Sequence, residues 1–175
     1  SAAAKNDLTI MINEPDAGWC NQDSPGIDQV AAKNSVLETL TIMNDKGKIV
    51  PYLLEAYSSS ADFKSWTFKL RQGIKFHDGT DFNAEAVKVT FDRVTNPENK
   101  LKRYALYNGN IAKTEVVDDY TARITLKTPF SPFINQLAHP SSVMISPTAL
   151  KKYGSIKTSV APASAHSRPP SGIEG

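Results

Sequence analysis

The residues able to do chemistry are few, and most fall in turn-like stretches. His77-Asp78-Gly79-Thr80-Asp81 gathers one imidazole and two carboxylates. Such a set could be a metal or acid–base cluster, and a small hydrolase using His77 and Asp78 is the alternative function it leaves open. The competing reading is a turn at Asp78-Gly79 with His77 packed beside it, because the group lacks metal-ligand spacing. A second set, Glu14, Asp16, Trp19 and Asn21, lies in a polar, turn-rich loop just beyond a strand pattern at Leu8–Ile12. Ligand sites in α/β proteins tend to lie there. Glu14 and Asp16 could meet an ammonium group by charge-assisted hydrogen bonds, or be solvated loop carboxylates. Trp19 could contact a ligand or anchor the loop. Tyr107, in a turn-like Tyr107-Asn108-Gly109, is the remaining ligand-binding candidate, presented to a cleft or folded into the core. Trp66, Phe68 and Phe76 share one strand face and read as core or as a stacking platform.

Catalytic signatures are missing. The sequence has no Gly-x-Ser-x-Gly elbow, His-Glu-x-x-His or phosphate-binding Gly-x-x-x-x-Gly-Lys-Ser/Thr loop. Its other histidines, His139 and His166, sit in Pro- and Ser-rich surroundings. Cys20 stands alone, so it forms no intrachain disulfide and supports no multi-cysteine zinc site. With no Lys, Arg or His beside it in sequence, it reads as a small packed residue. No metal and no cofactor are implied.

The elements that would hold these residues are legible in part. Ser24 and Pro25 open a helix carrying Ile27, Val30, Ala31, Val36, Leu37 and Leu40. Its end is ambiguous, since Thr39–Met43 is also a strand pattern. Asn44–Gly47 is a reverse turn, Tyr52–Ala56 reads as a short apolar helix, and Ser58-Ser59-Ser60 as a polar loop. Trp66, Phe68 and Leu70 alternate as a strand, and the same parity resumes at Ile74 and Phe76. Asn83 caps a helix from Ala84 to Val94 with an apolar stripe at Ala84, Val87, Phe91 and Val94; Asn96-Pro97 ends it. A hairpin runs over Val116–Lys127 and turns at Asp118-Asp119. A short helix covers Phe133–Leu137, and another follows Pro147 to near Tyr153-Gly154. Helices and strands mix without regular alternation, so the class is α/β or α+β. From Ser155 onward Ser, Pro and Ala dominate, and residues 155–175 read as a disordered or non-native tail.

Composition sets the outer bounds. The chain has 175 residues, 40% apolar and 22% charged, with 20 Lys+Arg against 18 Asp+Glu for a net charge of +2. So even a balance gives no electrostatic case for a nucleic-acid partner or an anionic membrane. No apolar run approaches the roughly 20 residues that span a bilayer. No export signal is visible, as suits a mature chain or a trimmed one.

Several strings in order resemble the family-5 extracytoplasmic solute-binding proteins of ABC importers, which include oligopeptide, dipeptide and nickel-chelate binders. Leu37-Glu38-Thr39-Leu40 looks like the family's E-x-L helix end. Asp45-Lys46-Gly47-Lys48-Ile49-Val50-Pro51-Tyr52-Leu53-Leu54-Glu55 is similar to its D-x-G-x-x-x-P-x-L-A stretch. Trp66 to Thr80 resembles its most recognisable signature. Asp81-Phe82-Asn83-Ala84-Glu85-Ala86-Val87 resembles its T-A-E-D-V helix start, with Ala86 where Asp is usual. The resemblance covers roughly residues 7 to 153. It implies a type II periplasmic-binding-protein fold, two lobes hinged around a buried ligand, of which residues 1–154 are an N-terminal portion. It also implies that the chain is not an enzyme: it captures a peptide or similar small polar solute for an ABC permease. The place implied is extracytoplasmic, in the periplasm or at the outer face of the membrane, with a lipid anchor possible in the full-length protein. His77-Asp78 is structural in the family. Members are considerably longer, and the family's Pro-Val-Gly-Thr-Gly-Pro-like strand is missing after Tyr153-Gly154, which points to truncation or a frame shift. A truncated chain is expected to bind weakly or not at all, and to be prone to self-association through unpaired strand edges.

Overall fold

The computed structural model describes Gln22 and residues 37–153. A two-stranded antiparallel ribbon comes first: β1 (Thr41–Met43) and β2 (Ile49–Pro51), with Ile42 opposite Val50. The turn between them is tied by the Asn44 side chain, whose Oδ1 accepts from the Lys46 and Lys48 amides at 3.1 and 2.9 Å. Gly47 closes it at φ +72°, a conformation a side chain would strain.

The main sheet has four strands, β3 (Leu54–Ser59), β4 (Ser65–Leu70), β5 (Ile111–Asp118) and β6 (Thr121–Leu126). Their spatial order is β3-β4-β6-β5 and every neighbouring pair is antiparallel. Parity decides its faces. Trp66 lies opposite Ile124 and Phe68 opposite Ala122, and these four, with Leu70 and Leu126, are buried. Lys69 and Arg123 point to the open face and are exposed. Both edge strands carry register shifts, at Leu54/Ala56 in β3 and at Ile111/Lys113 and Val116/Asp118 in β5. Bulges of this kind discourage pairing with another chain.

Helix α1 (Ala84–Thr95) covers the buried face against β5 and β6. Its N-terminus satisfies two rules at once: Asn83 Oδ1 accepts the Ala86 amide at 3.3 Å, and the Asp119 carbonyl in the β5–β6 turn accepts the Ala84 amide at 2.8 Å. The stripe Ala84, Val87, Phe91 and Val94 is fully buried, as its spacing predicts. Three short helices follow: α2 (Tyr104–Asn108), α3 (Phe133–Gln136) and α4 (Pro147–Tyr153).

Two local expectations are corrected. Tyr52–Ala56 is not a helix: β3 begins at Leu54 and includes Ser58 and Ser59, which the sequence reads as loop. Helix propensity at Leu53-Leu54-Glu55 is overridden by pairing, since the Leu53 carbonyl accepts the Arg71 amide at 3.0 Å and Tyr57 lies opposite Phe68. Likewise Tyr107-Asn108 is not a turn but the end of α2, and Gly109 is right-handed at φ −60°. The ambiguous Thr39–Met43 resolves as strand β1, and the β5–β6 hairpin starts at Ile111, earlier than expected.

Candidate functional site

The His77–Asp81 turn splits into separate structural tasks. Asp78 Oδ1 accepts from the Thr80 amide at 3.0 Å and the Thr80 hydroxyl at 2.6 Å, while Oδ2 accepts from the Ser146 hydroxyl at 2.5 Å. Ser146, fully buried, also accepts the Ala149 amide at 3.1 Å and so caps α4. Asp78 therefore latches its turn to a helix 68 residues further on. Partial burial works to raise its pKa, but the hydrogen bonds from Ser146 and Thr80 outweigh it and hold the carboxyl below its ordinary value. Asp81 pairs instead with Lys75 at 2.5 Å, and His77 is exposed. Both Asp78 oxygens are thus engaged by donors that hold the fold, which removes the basis for the hydrolase alternative. Among the described residues no group of three or more His, Cys, Asp or Glu is placed to hold a metal.

Of the ligand-binding candidates, Glu14, Asp16, Trp19 and Asn21 lie outside the described residues. Tyr107 is inside the core, fully buried, its ring 5.8 Å from that of Phe91 and edge-on to it. Its hydroxyl is 2.8 Å from Ser141 Oγ, and burial pushes its pKa up to about 12 against the lowering effect of its hydroxyl partners. Trp66, Phe68 and Phe76 are core as well.

The residue after Asn21 is well placed. Gln22 is buried: its Nε2 donates to the Thr90 carbonyl at 3.2 Å, its Oε1 accepts from Arg93, and its carbonyl accepts the Arg103 amide at 3.0 Å. The chain is thereby fastened to the second half of α1 at Gln22. Beside this anchor runs a groove of about 310 Å³ lined by Glu85, Lys88, Val89, Asp92, Arg93, Asn96, Asn99 and Leu150. It brings carboxylate, cationic and amide groups together. Much of that polarity also holds the helix end: Lys88 pairs with Asp92, Asn96 Oδ1 accepts the Glu98 amide at 3.0 Å, and Asn99 Nδ2 donates to the Arg93 carbonyl at 2.8 Å.

Sequence reasoning missed Gln22, Thr90 and Ser141. Thr90 left a trace, as a hydroxyl within the apolar face of α1. His139-Pro140-Ser141 left another, an acceptor directly before a proline, the pattern of a capped turn.

The sequence profile of bacterial extracellular solute-binding proteins, family 5 Middle, matches residues 48–166. The chain belongs to that family. It is a family of solute-binding proteins rather than enzymes. Among curated relatives, the glutathione-binding protein GsiB of Shigella flexneri is 56% identical over 153 residues, which is 87% of this chain and 30% of that protein. GsiB of Escherichia coli K12 is 55% identical over the same length. The family member described here thus spans about a third of the curated relatives it matches. Among solved structures, the periplasmic binding protein AgaA of A. tumefaciens R10 in complex with agropinic acid superposes with a TM-score of 0.72 at 34% identity, covering 78% of this chain and 27% of that one. NikA of Brucella suis in complex with Fe(III)-EDTA gives 0.67 at 35%, covering 76% and 27%. OppA of Haemophilus influenzae shares the fold, with a TM-score of 0.73 at 21% identity, covering 79% and 30%. The mixed α/β architecture is therefore part of a periplasmic-binding-protein fold.

Proposed function

We propose that this chain is part of the substrate-binding component of an ABC importer, and that its cargo is glutathione or a closely similar short peptide. The observation that carries this reading is the 56% identity over 153 residues to a glutathione-binding protein. Glutathione has two carboxylates, one ammonium group and two amide bonds. Glu14 and Asp16 supply partners for the ammonium, Trp19 an apolar face, and Asn21 an amide for the backbone. Tyr107 is left out of this set, because it is buried in the core. The protein works outside the cytoplasm, in the periplasm or anchored by lipid at the outer face of the membrane, and hands its cargo to a membrane permease.

Calorimetry on a longer protein containing these 175 residues tests the cargo. Glutathione should bind at least tenfold more tightly than a nickel chelate or an opine, and Trp19→Ala should weaken it at least tenfold, about 1.4 kcal/mol. Tight binding of a chelate with none of glutathione would overturn the assignment. The 175-residue chain alone is expected to bind weakly, because a buried ligand needs both walls of a cleft.

A further inference from the structure

We propose that His139 is an acid-sensitive pin, and that protonating it releases the half-buried head of the strap formed by residues 138–146, whose residues 141–146 are buried. The geometry starts with a backbone amide. Ser141 N–H donates to His139 Nδ1 at 3.1 Å, capping the short 3-10 turn Pro140–Ser142. A nitrogen that accepts an amide proton carries no proton of its own, so the ring is neutral with its hydrogen on Nε2. The remaining contacts then take one direction. The Ser141 hydroxyl, 2.7 Å from Nδ1, donates to it, and the Tyr107 hydroxyl, 2.8 Å from Ser141 Oγ, donates to Ser141. Every proton in the chain Tyr107–Ser141–His139 is used.

A proton added to Nδ1 reverses that order. The ring can then donate to Ser141 Oγ, but it faces the Ser141 amide proton head-on. The Ser141 hydroxyl turns towards Tyr107, whose own proton must leave Ser141 for Ser142, its other hydroxyl partner. These groups are inside the molecule, with Tyr107 and Ser141 at 0% and 1% exposure, so water does not replace the lost partners.

The surrounding charges act the same way. Among the described residues Arg103, just before α2, is the charged group that bears on the ring; Tyr107 faces it from α2 as a neutral phenol. Glu38, in the stretch that the strap covers, has its carboxylate engaged by the Tyr52 hydroxyl at 2.9 Å. The strap itself carries no other titratable side chain between Ala138 and Ser146. Burial first, and the Arg103 cation second, hold the imidazole below its ordinary pKa. The sign follows from linkage. A histidine depressed in the folded state contributes stability that is complete above its unfolded value, about 6.5, and is lost as pH falls through its folded value.

What the pin controls is set by the rest of the strap. The Met144 amide donates to the Glu38 carbonyl at 2.9 Å, the Ile145 amide to Thr90 Oγ1 at 3.1 Å, and the Ser146 hydroxyl to Asp78 at 2.5 Å. Three distant segments are stitched by one strap, and His139 holds its first turn. The device is independent of which solute the protein carries.

The test is an NMR titration of the imidazole nitrogens of the 175-residue chain, with hydrogen exchange at the Ser141 and Met144 amides. The expected result is an Nε2–H tautomer at neutral pH and a His139 pKa below 6.5. Protection at both amides, corrected for intrinsic exchange, should fall by up to about tenfold per pH unit between the two pKa values. In His139→Asn, which keeps an acceptor but does not titrate, that acid-dependent fall should vanish. An Nδ1–H tautomer, a pKa at or above 6.5, or the same loss of protection in His139→Asn would overturn the proposal. The wild-type titration needs no variant, so a misfolded substitution leaves the test standing.

Discussion

The covered face of the four-stranded sheet under α1 and residues 141–146 of the strap are both buried, yet they are held by opposite means. The sheet side is apolar: Phe68, Phe91, Val94, Ala122 and Ile124 are each fully buried. The strap buries Ser141, Ser142 and Ser146, and each hydroxyl is spent on a partner. Ser142, for example, donates at 2.6 Å to the Leu137 carbonyl. Apolar burial is non-directional and indifferent to protons. A polar network is worth little net when complete and costs much when one member is lost. The sheet therefore sets how stable the unit is, and the strap sets the conditions under which it stays closed.

Removing Phe91 attacks the first half of that division and carries the largest expected effect. Its side chain fills the space between α1 and Tyr107, so Phe91→Ala should cost about 3–5 kcal/mol of unfolding free energy in a urea melt. The dependence on pH between 7 and 5 should keep its wild-type slope, because the truncated ring is no part of the proton chain. A changed slope would show that the two regions are one network.

Thr90→Val attacks the seam. Thr90 sits on the apolar side of α1, but its Oγ1 accepts the Ile145 amide and its carbonyl accepts Gln22 Nε2. Valine keeps the volume and leaves the Ile145 amide buried without that acceptor. The expected loss is about 1–3 kcal/mol, with faster exchange at the Ile145 amide while the β4 and β6 amides stay protected. An unchanged Ile145 amide would mean that the strap finds another acceptor.

The same contrast explains what could be read from the sequence. Periodicity reports apolar burial, so the phases of β4 and α1 were visible in Trp66-Phe68-Leu70 and the Ala84–Val94 stripe. Residue type in a turn reports local backbone demand, so Asn44–Gly47, Asp78-Gly79 and the Asn83 cap were visible too. Pairings such as Ser146 with Asp78, or Gln22 with Thr90 and Arg93, join residues 68 or more positions apart and leave no local period. β3 was misread for a related reason: Leu53-Leu54-Glu55 favours a helix on its own, and only β4 makes it a strand. Family membership was legible because several of the quoted strings, Trp66 to Thr80 and Asp81 to Val87 among them, lie in these locally determined stretches. Glu14, Asp16, Trp19 and Asn21 were singled out by their loop, and they remain a proposal that binding experiments decide.

Thr114→Val gives the smallest effect and the sharpest separation. Thr114 is buried on β5 opposite Ile124, on the side of the sheet that faces α1. Unlike Thr90, its Oγ1 has no hydrogen-bond partner among the described residues. Here the hydroxyl is desolvated and receives nothing in return, while valine suits a strand at least as well. The substitution should therefore be neutral or raise stability by up to about 1 kcal/mol, read as a small rise in Tm or in the urea midpoint. Identical chemistry at two buried threonines is thus expected to move stability in opposite directions, down where the hydroxyl joins the strap and up where it interrupts the sheet. A loss at Thr114 comparable to that at Thr90 would show that the sheet side also depends on a polar contact, and the division between the two regions would fail.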